Sequence, residues 1–223
     1  MNTEIGMNIP IHFFCSWSGG KDSCLALNRM LNAGNICNGI FTMIDETGEQ
    51  SRSHGLHPEL LKKQSMMLNL PLYTANANWE NYEDEFRKKL SLLKLGGLSN
   101  GVFGDIDLEP HREWVERICN ECGFRPHLPL WKEDRCALVN EFIEAGFKAV
   151  IVVVNTKKMP QRFLGRNIDH KLIVELKETG IDVCGENGEY HSFVYDGPLF
   201  KNPVQYSVNK THSVGEYRFL ELE

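Results

Sequence analysis

The sequence predicts an α/β protein built on a doubly wound, five-stranded parallel sheet, followed by a smaller C-terminal α+β lobe. Three observations predict this. Over the first 130 residues, short apolar runs alternate with segments whose apolar residues recur at helical spacing. The first run passes straight into a helix through a Gly-Gly turn, Ser18-Gly19-Gly20-Lys21-Asp22-Ser23. Beyond about residue 135 the alternation gives way to sequence of a different character, ending in a Gly-rich acidic stretch. Strand–helix repetition of this kind builds right-handed βαβ units.

The elements follow in order. Apolar runs at Ile11–Trp17, Gly39–Ile44, Leu70–Ala75, Gly101–Ile106 and His127–Trp131 lack strict alternation, as strands buried on both faces do. Lys21–Ala33 places Cys24, Leu27 and Leu31 on one stripe, with Gly34 as a stop signal. Trp79, Tyr82, Phe86, Leu90 and Leu93 trace a helical face ending at Gly96-Gly97; Trp114, Val115, Ile118, Cys119 and Cys122 trace another ending at Gly123. In the last ninety residues, Leu138–Ala145 reads as a helix, Ala149–Val154 as a β-branched strand and Asp169–Lys177 as a helix. The Gly-rich, acidic Cys184–Phe200 then contains an alternating stretch. The expected division is 1–134 and 135–223. With no Ser- or Pro-rich linker between them, the two parts are expected to pack as one body.

Composition narrows the function classes. The chain has 223 residues, 42% hydrophobic and 24% charged, enough for a sizeable core and unlike disordered sequence. No apolar run reaches the roughly 20 residues of a membrane span, so no membrane partner is expected. The first seventeen residues hold no Lys or Arg, which argues against a signal peptide. A net charge of −6 weighs against broad nucleic-acid binding. Seven scattered cysteines without a secretory signal point to reduced thiols and a cytoplasmic location. The sequence leaves a homo-oligomer open.

The Ser18–Ser23 string carries the sharpest chemistry. Adjacent glycines let the backbone approach an anion, and the helix N-terminus beyond them offers unpaired amides and a positive dipole end. The hydroxyls of Ser18 and Ser23 add donors for phosphate oxygens. Asp22 beside a phosphate suggests a bridging Mg²⁺; its alternative is a helix cap. The string is neither Gly-x4-Gly-Lys-Ser/Thr nor Gly-x-Gly-x-x-Gly.

At these residues the chain resembles the PP-loop ATP pyrophosphatases, whose motif is Ser-Gly-Gly-x-Asp-Ser, with a Rossmann-like fold shared with the adenine nucleotide alpha hydrolases. The resemblance implies cleavage of ATP between its α and β phosphates. It also implies a nucleotide site formed by Ser16, Ser18, Gly19, Gly20, Lys21, Asp22 and Ser23. Adenine would lie against backbone at the end of the second strand, Thr42–Asp45, centred on Met43. Further strings narrow the likeness: Gly104-Asp105-Ile106, Pro129-Leu130-Trp131, Gly185-Glu186-Asn187-Gly188-Glu189-Tyr190-His191 and Asp196-Gly197-Pro198-Leu199-Phe200. Together they resemble the diphthine–ammonia ligase (diphthamide synthetase-like) family from about residue 11 to 201. That implies amidation of a carboxylate, on a small molecule or a modified protein side chain, with ATP and ammonium. Gly104 and Asp105 would complete the nucleotide site.

One stretch departs from the family pattern Gly-Glu-Gly-Gly-Glu-Tyr/Phe-Glu-Thr: Asn187 replaces the second Gly, and His191-Ser192 replace Glu-Thr. A bacterial branch with Asn and His there is associated with corrinoid salvage, so the reaction type carries over better than the substrate. Physically, Gly185 and Gly188 permit a turn aiming Glu186 and Glu189 together. Alternation then sets His191, Phe193 and Tyr195 on one strand face. Two carboxylates and a His near a phosphate loop can bind ammonium, hold Mg²⁺ or take a proton from the amine. The expected catalytic residues are Asp22, Glu186 and Glu189, with Asp22 on the metal; Glu186, Asn187, Glu189, Tyr190 and His191 are expected to meet substrate.

Other signals carry less. Cys119 and Cys122 continue a core stripe, and no second pair completes a zinc site. His54 is a candidate for the cleft wall, and His111-Arg112 for a cation near phosphates. Lys157, Lys158, Arg162 and Arg166 form either a solvated face or an acidic-substrate surface. Against the ligase reading stand a tRNA-modifying PP-loop enzyme, which needs a catalytic cysteine pair and a basic face, and a nucleotide-binding protein without turnover.

Overall fold

The computed structural model describes residues 9–52 and 54–223; the part of the N-terminal segment before Ile9 that bears on a signal peptide lies outside them. Strand β1 (His12–Ser16) leads into α1 (Lys21–Asn32), then β2 (Ile36–Ile44), α2 (Pro58–Leu68), β3 (Leu72–Asn76) and α3 (Tyr82–Leu95). The first sheet is completed by β4 (Asn100–Val102), α4 (Glu109–Glu121) and β5 (Arg125–His127). All four pairings are parallel, in the order β3-β2-β1-β4-β5. The strand order reverses between β1 and β4, and open parallel sheets bind ligands outside the carboxyl ends at such a point.

The apolar runs explain the layering. In β1, Phe13 and Cys15 join one apolar cluster while Phe14 joins the other; in β2, Ile40 and Ile44 oppose Phe41 and Met43. Helices α1 and α2 cover the first face, and α3 and α4 the second. The second sheet is antiparallel, β7-β6-β9-β8, from β6 (Lys148–Asn155), β7 (Tyr190–Asp196), β8 (Val208–Val214) and β9 (Tyr217–Leu222). Helices α5 (Arg135–Glu144) and α6 (His170–Glu178) accompany it, capped by Asp134 and Asp169 through the amides of Ala137 and Leu172. One continuous core runs from α1 and α2 into β6, α6 and β7.

Several boundaries differ from expectation. The fifth strand lies at Arg125–His127, and Leu128–Trp131 turns away after it. The fourth ends at Val102, leaving Phe103–Ile106 irregular at the sheet's carboxyl edge. Helix α2 and the β8–β9 hairpin were not expected. The signal for α2 was present: Pro58 at its start, the His57 ring accepting from Glu59 N–H, and Asn69 in the left-handed region at its end (φ 56°). Among the described residues, no helix is long and apolar enough to cross a membrane. All seven cysteines are unpaired; Cys119 is buried in the core, where burial pushes its thiol up to about 12.

Candidate functional site

The Ser18–Ser23 loop joins β1 to α1 at the carboxyl edge of the sheet. Its hydroxyls and amides knit locally: Gly20 N–H donates to Ser18 Oγ (3.2 Å), and Ser23 Oγ donates to the Gly20 carbonyl (3.1 Å). The loop is also held from the second lobe. Lys21 N–H donates to Ser192 Oγ (3.2 Å), and Val194 N–H to the Gly19 carbonyl (2.9 Å). Gln64, fully buried on α2, ties the pieces together. It accepts from Trp17 Nε1 (2.8 Å) and donates to the carbonyls of Gly19 (3.0 Å) and Val194 (2.6 Å).

Two glycines are required by close approach. A Cβ on Gly20 would lie 2.4 Å from His54 Cε1 and 3.1 Å from the Ser192 carbonyl. On Gly104 it would lie 2.8 Å from the backbone of Asp22 and Ser23, so the segment after β4 rests directly on the start of α1.

Around this loop opens a cleft of about 1090 Å³. Ser16, Ser18, Lys21, Asp22 and Ser23 line its floor, Gly104, Asp105 and His111 one side, and Glu186, Tyr190 and His191 another. A recess of about 110 Å³ beside it is lined by Thr42, Met43 and Arg52 together with Ser16 and Ser18. The Met43 carbonyl accepts from Arg52 N–H (3.2 Å). The sequence reading missed three features here: Gln64, the Ser192 hydroxyl, and an aromatic wall of Trp79, Tyr82 and Trp114. Trp79 and Tyr82 stack at 5.8 Å, and Arg52 lies 4.3 Å over the Trp79 ring.

Charge is crowded in the cleft. Lys21 is buried, its ammonium 2.7 Å from Asp22 Oδ2 and 5.4 Å from the Tyr190 ring centre. Burial opposes its charge, but Asp22, Tyr190, Cys184 and Glu186 outweigh burial and hold its pKa well above the usual lysine range. Burial raises the Asp22 carboxyl, with Asp105 adding to the effect and Lys21 opposing it. Glu186 is pushed up to about 7 by burial and by Asp22 and Asp105. The rings of His54 and His191 face each other 4.6 Å apart, tilted by 32°; burial, aided by Lys21, lowers His191 to about 4, and burial with His191 and Lys21 lowers His54 well below its ordinary value. His54 Nδ1 lies 2.8 Å from the Ser192 carbonyl, so this nitrogen carries the proton. Burial also holds the Cys184 thiol protonated, which removes it as a nucleophile.

The late motif divides. Glu186, Tyr190 and His191 line the cleft, whereas Asn187 and Glu189 do not. The buried Glu189 carboxylate turns back on its own loop, accepting from Asn187 N–H (3.0 Å) and Asn187 Nδ2 (3.1 Å). Gly185 and Gly188 do take left-handed backbone (φ 72° and 79°), but the turn separates the two acids instead of aiming them together. Arg135 braces it from α5, pairing with Asp182 (2.6 Å) and bidentately with Asp107 (2.7 and 2.6 Å). Lys157 and Arg166 are paired with Glu216 and Glu175, and Lys158 with the Asn187 carbonyl, so that cluster forms no single basic surface.

An α/β sheet whose switch point carries a Gly-Gly strand-to-helix loop, walled by a second lobe, is the architecture of nucleotide-binding proteins of the PP-loop class. Family models for the diphthamide synthase N-terminal and C-terminal domains match residues 12–126 and 134–221, and the chain belongs to the diphthamide synthase family. It is 29% identical to the diphthine–ammonia ligases of Bos taurus and Homo sapiens, over 92% of this chain and 89% of each of those. It is 26% identical to the Schizosaccharomyces pombe protein of that name, again over 92% of this chain but spanning 38% of the relative. Among solved structures, a predicted subunit of tRNA methyltransferase from Methanocaldococcus jannaschii aligns with TM-score 0.45 and 15% identity, over 82% of this chain and 96% of that one.

Proposed function

We propose that the chain is an ATP-dependent, AMP-forming ligase that joins ammonia to a substrate carboxylate, as its diphthine–ammonia ligase relatives are named for doing. The observation that carries this reading is the phosphate loop facing Glu186 across one cleft, with the family's late motif supplying that wall. In the first step a carboxylate oxygen attacks the α-phosphorus of ATP, the bond to the β-phosphate oxygen breaks, and pyrophosphate leaves. In the second, ammonia attacks the acyl carbon and AMP departs with the bonding pair. Loop amides and the Ser18 and Ser23 hydroxyls bind phosphate oxygens, and the recess at Met43 takes the base. Glu186, its carboxyl held at about 7, accepts a proton from ammonium before attack.

Among the described residues, no group of three or more His, Cys, Asp or Glu is placed to hold a metal by itself. Mutual repulsion of Asp22, Asp105 and Glu186 nevertheless favours a cation arriving with the nucleotide, and one carboxylate plus phosphates is a common Mg²⁺ environment. Asp22 would hold that Mg²⁺, which offsets charge on the departing pyrophosphate.

Phosphorus NMR of ATP, Mg²⁺, ammonium, the protein and pooled carboxylic acids, corrinoid acids included, tests the reading. AMP and pyrophosphate formed only with an acid pool support it, and subdividing the pool names the acid. Release of ADP and phosphate overturns it.

A further inference from the structure

The cleft poses an electrostatic problem for a triphosphate. Asp22, Asp105 and Glu186 face it, and the cations that would offset them are already engaged. Lys21 is locked against Asp22 beneath Tyr190. Arg52, at the recess, is paired with Glu46 (2.8 Å) and stacked on Trp79. His54 and His191 are packed against each other as neutral rings.

His111 is different. It sits in the first turn of α4, lines the cleft, and places Nδ1 3.3 Å from Asp105 Oδ1. Among the described residues its Nε2 has no protein partner, and more than half of the side chain is exposed. Asp105, with a contribution from Glu186, raises its pKa, so both ring nitrogens carry protons over more of the neutral range. Gly104, which precedes Asp105 in the irregular segment after β4, rests on the backbone of Asp22 and Ser23, which sets the imidazole at the edge of the phosphate loop.

We infer that His111, buttressed by Asp105, is the cation that binds the terminal phosphates of ATP and the pyrophosphate that leaves. The inference rests on the ATP reading of the cleft. Asp105 fixes Nδ1–H, which leaves Nε2–H to donate a charge-assisted hydrogen bond to a phosphate oxygen. Asp105 is then a positioning residue, and His111 touches the ligand.

Isothermal titration of the full chain with Mg-pyrophosphate, Mg-ATP and AMP tests this in wild type, His111→Gln and His111→Lys. Losing a hydrogen bond to a charged group weakens binding about 10- to 100-fold. The glutamine variant is expected to lose that much affinity for pyrophosphate and ATP, keep its AMP affinity, and regain most of the loss with lysine. Equal pyrophosphate affinity in wild type and His111→Gln overturns the inference, as does a wild-type chain that binds no pyrophosphate. If pyrophosphate binding depends on position 111 but no acid yields AMP, the ligase reading falls and this one stands.

Discussion

Replacing Gln64 with leucine removes the residue that joins the phosphate loop to the second lobe while nearly conserving volume. The loss can be worked from its three hydrogen bonds. Trp17 Nε1–H has Gln64 as its partner and would be left buried and unpaired, which costs about 1–3 kcal/mol. The Gly19 carbonyl keeps Val194 N–H at 2.9 Å, so losing Gln64 Nε2 there removes an ordinary bond, as it does at Val194 O. Each of those contributes about 0.5–1.5 kcal/mol. The sum is about 2–6 kcal/mol, a large share of a total stability of about 5–15 kcal/mol. With a urea m-value of about 2–3 kcal/mol/M, the midpoint should fall by about 0.7–3 M. Gln64→Glu should fall further, because a carboxylate oxygen would face two carbonyls. Urea unfolding followed by tryptophan fluorescence reads both variants. A leucine midpoint within about 0.3 M of wild type, or glutamate no worse than leucine, would refute the reasoning.

Other predictions use different parts of the site. Gly104→Ala drives a methyl into the Asp22–Ser23 backbone at 2.8 Å; ATP binding, measured by titration calorimetry, should drop at least tenfold, a change of about 1.4 kcal/mol. Ser23→Ala and Asp22→Ala should abolish pyrophosphate release with the circular dichroism unchanged, and wild-type rates in either would count against the loop's role. Glu186 binds its proton more tightly folded (about 7) than unfolded (ordinarily near 4.5), so its contribution to stability falls as pH rises from about 4.5 to about 7. At 1.36 kcal/mol per unit the loss reaches about 3 kcal/mol. Glu186→Gln should therefore be the more stable protein at pH 8, with that advantage gone below pH 5. Ammonia transfer, which needs the ionised carboxylate, should rise through about pH 7 in wild type only. Parallel stability curves for the two proteins would remove the buried carboxylate from the argument.

The first sheet was legible because β1 and β2 are buried on both faces, so their apolar runs are continuous. Helix α2 escaped because Lys62 and Lys63 interrupt a short apolar pattern of Leu60, Leu61 and Leu68. The strand β8 escaped for the opposite reason: an exposed sheet edge needs no apolar face, and Val208–Val214 is largely polar. The fifth strand slipped because Leu128, Leu130 and Trp131 look like strand but pack as a turn. In the site, residues of the phosphate loop were readable from local chemistry. Glu186 and Glu189 look alike in sequence, and only the capture of Glu189 by Asn187 separates them. Ser192 and Gln64 gave no local signal at all, since their partners lie 171 and 45 or more residues away in the chain.

Those distant partners bear on how the loop works. An anion at the start of α1 seeks the amide of Lys21, yet that amide already donates to Ser192 Oγ at 3.2 Å, toward the long end for an N–H···O bond. Under the proposed ATP reading, a phosphate oxygen would be the stronger, charge-assisted acceptor and would compete with the serine hydroxyl for this amide. Gly19 and Val194 are joined directly through backbone and again through Gln64, contacts that do not involve the Lys21 amide. Ser192 lies on β7, the strand that also presents His191 to the cleft and begins shortly after Glu186. The arrangement gives a physical reason for the late motif to sit beside the Ser18–Ser23 loop: the strand that carries His191 into the cleft is hydrogen-bonded to that loop through Ser192 and Val194.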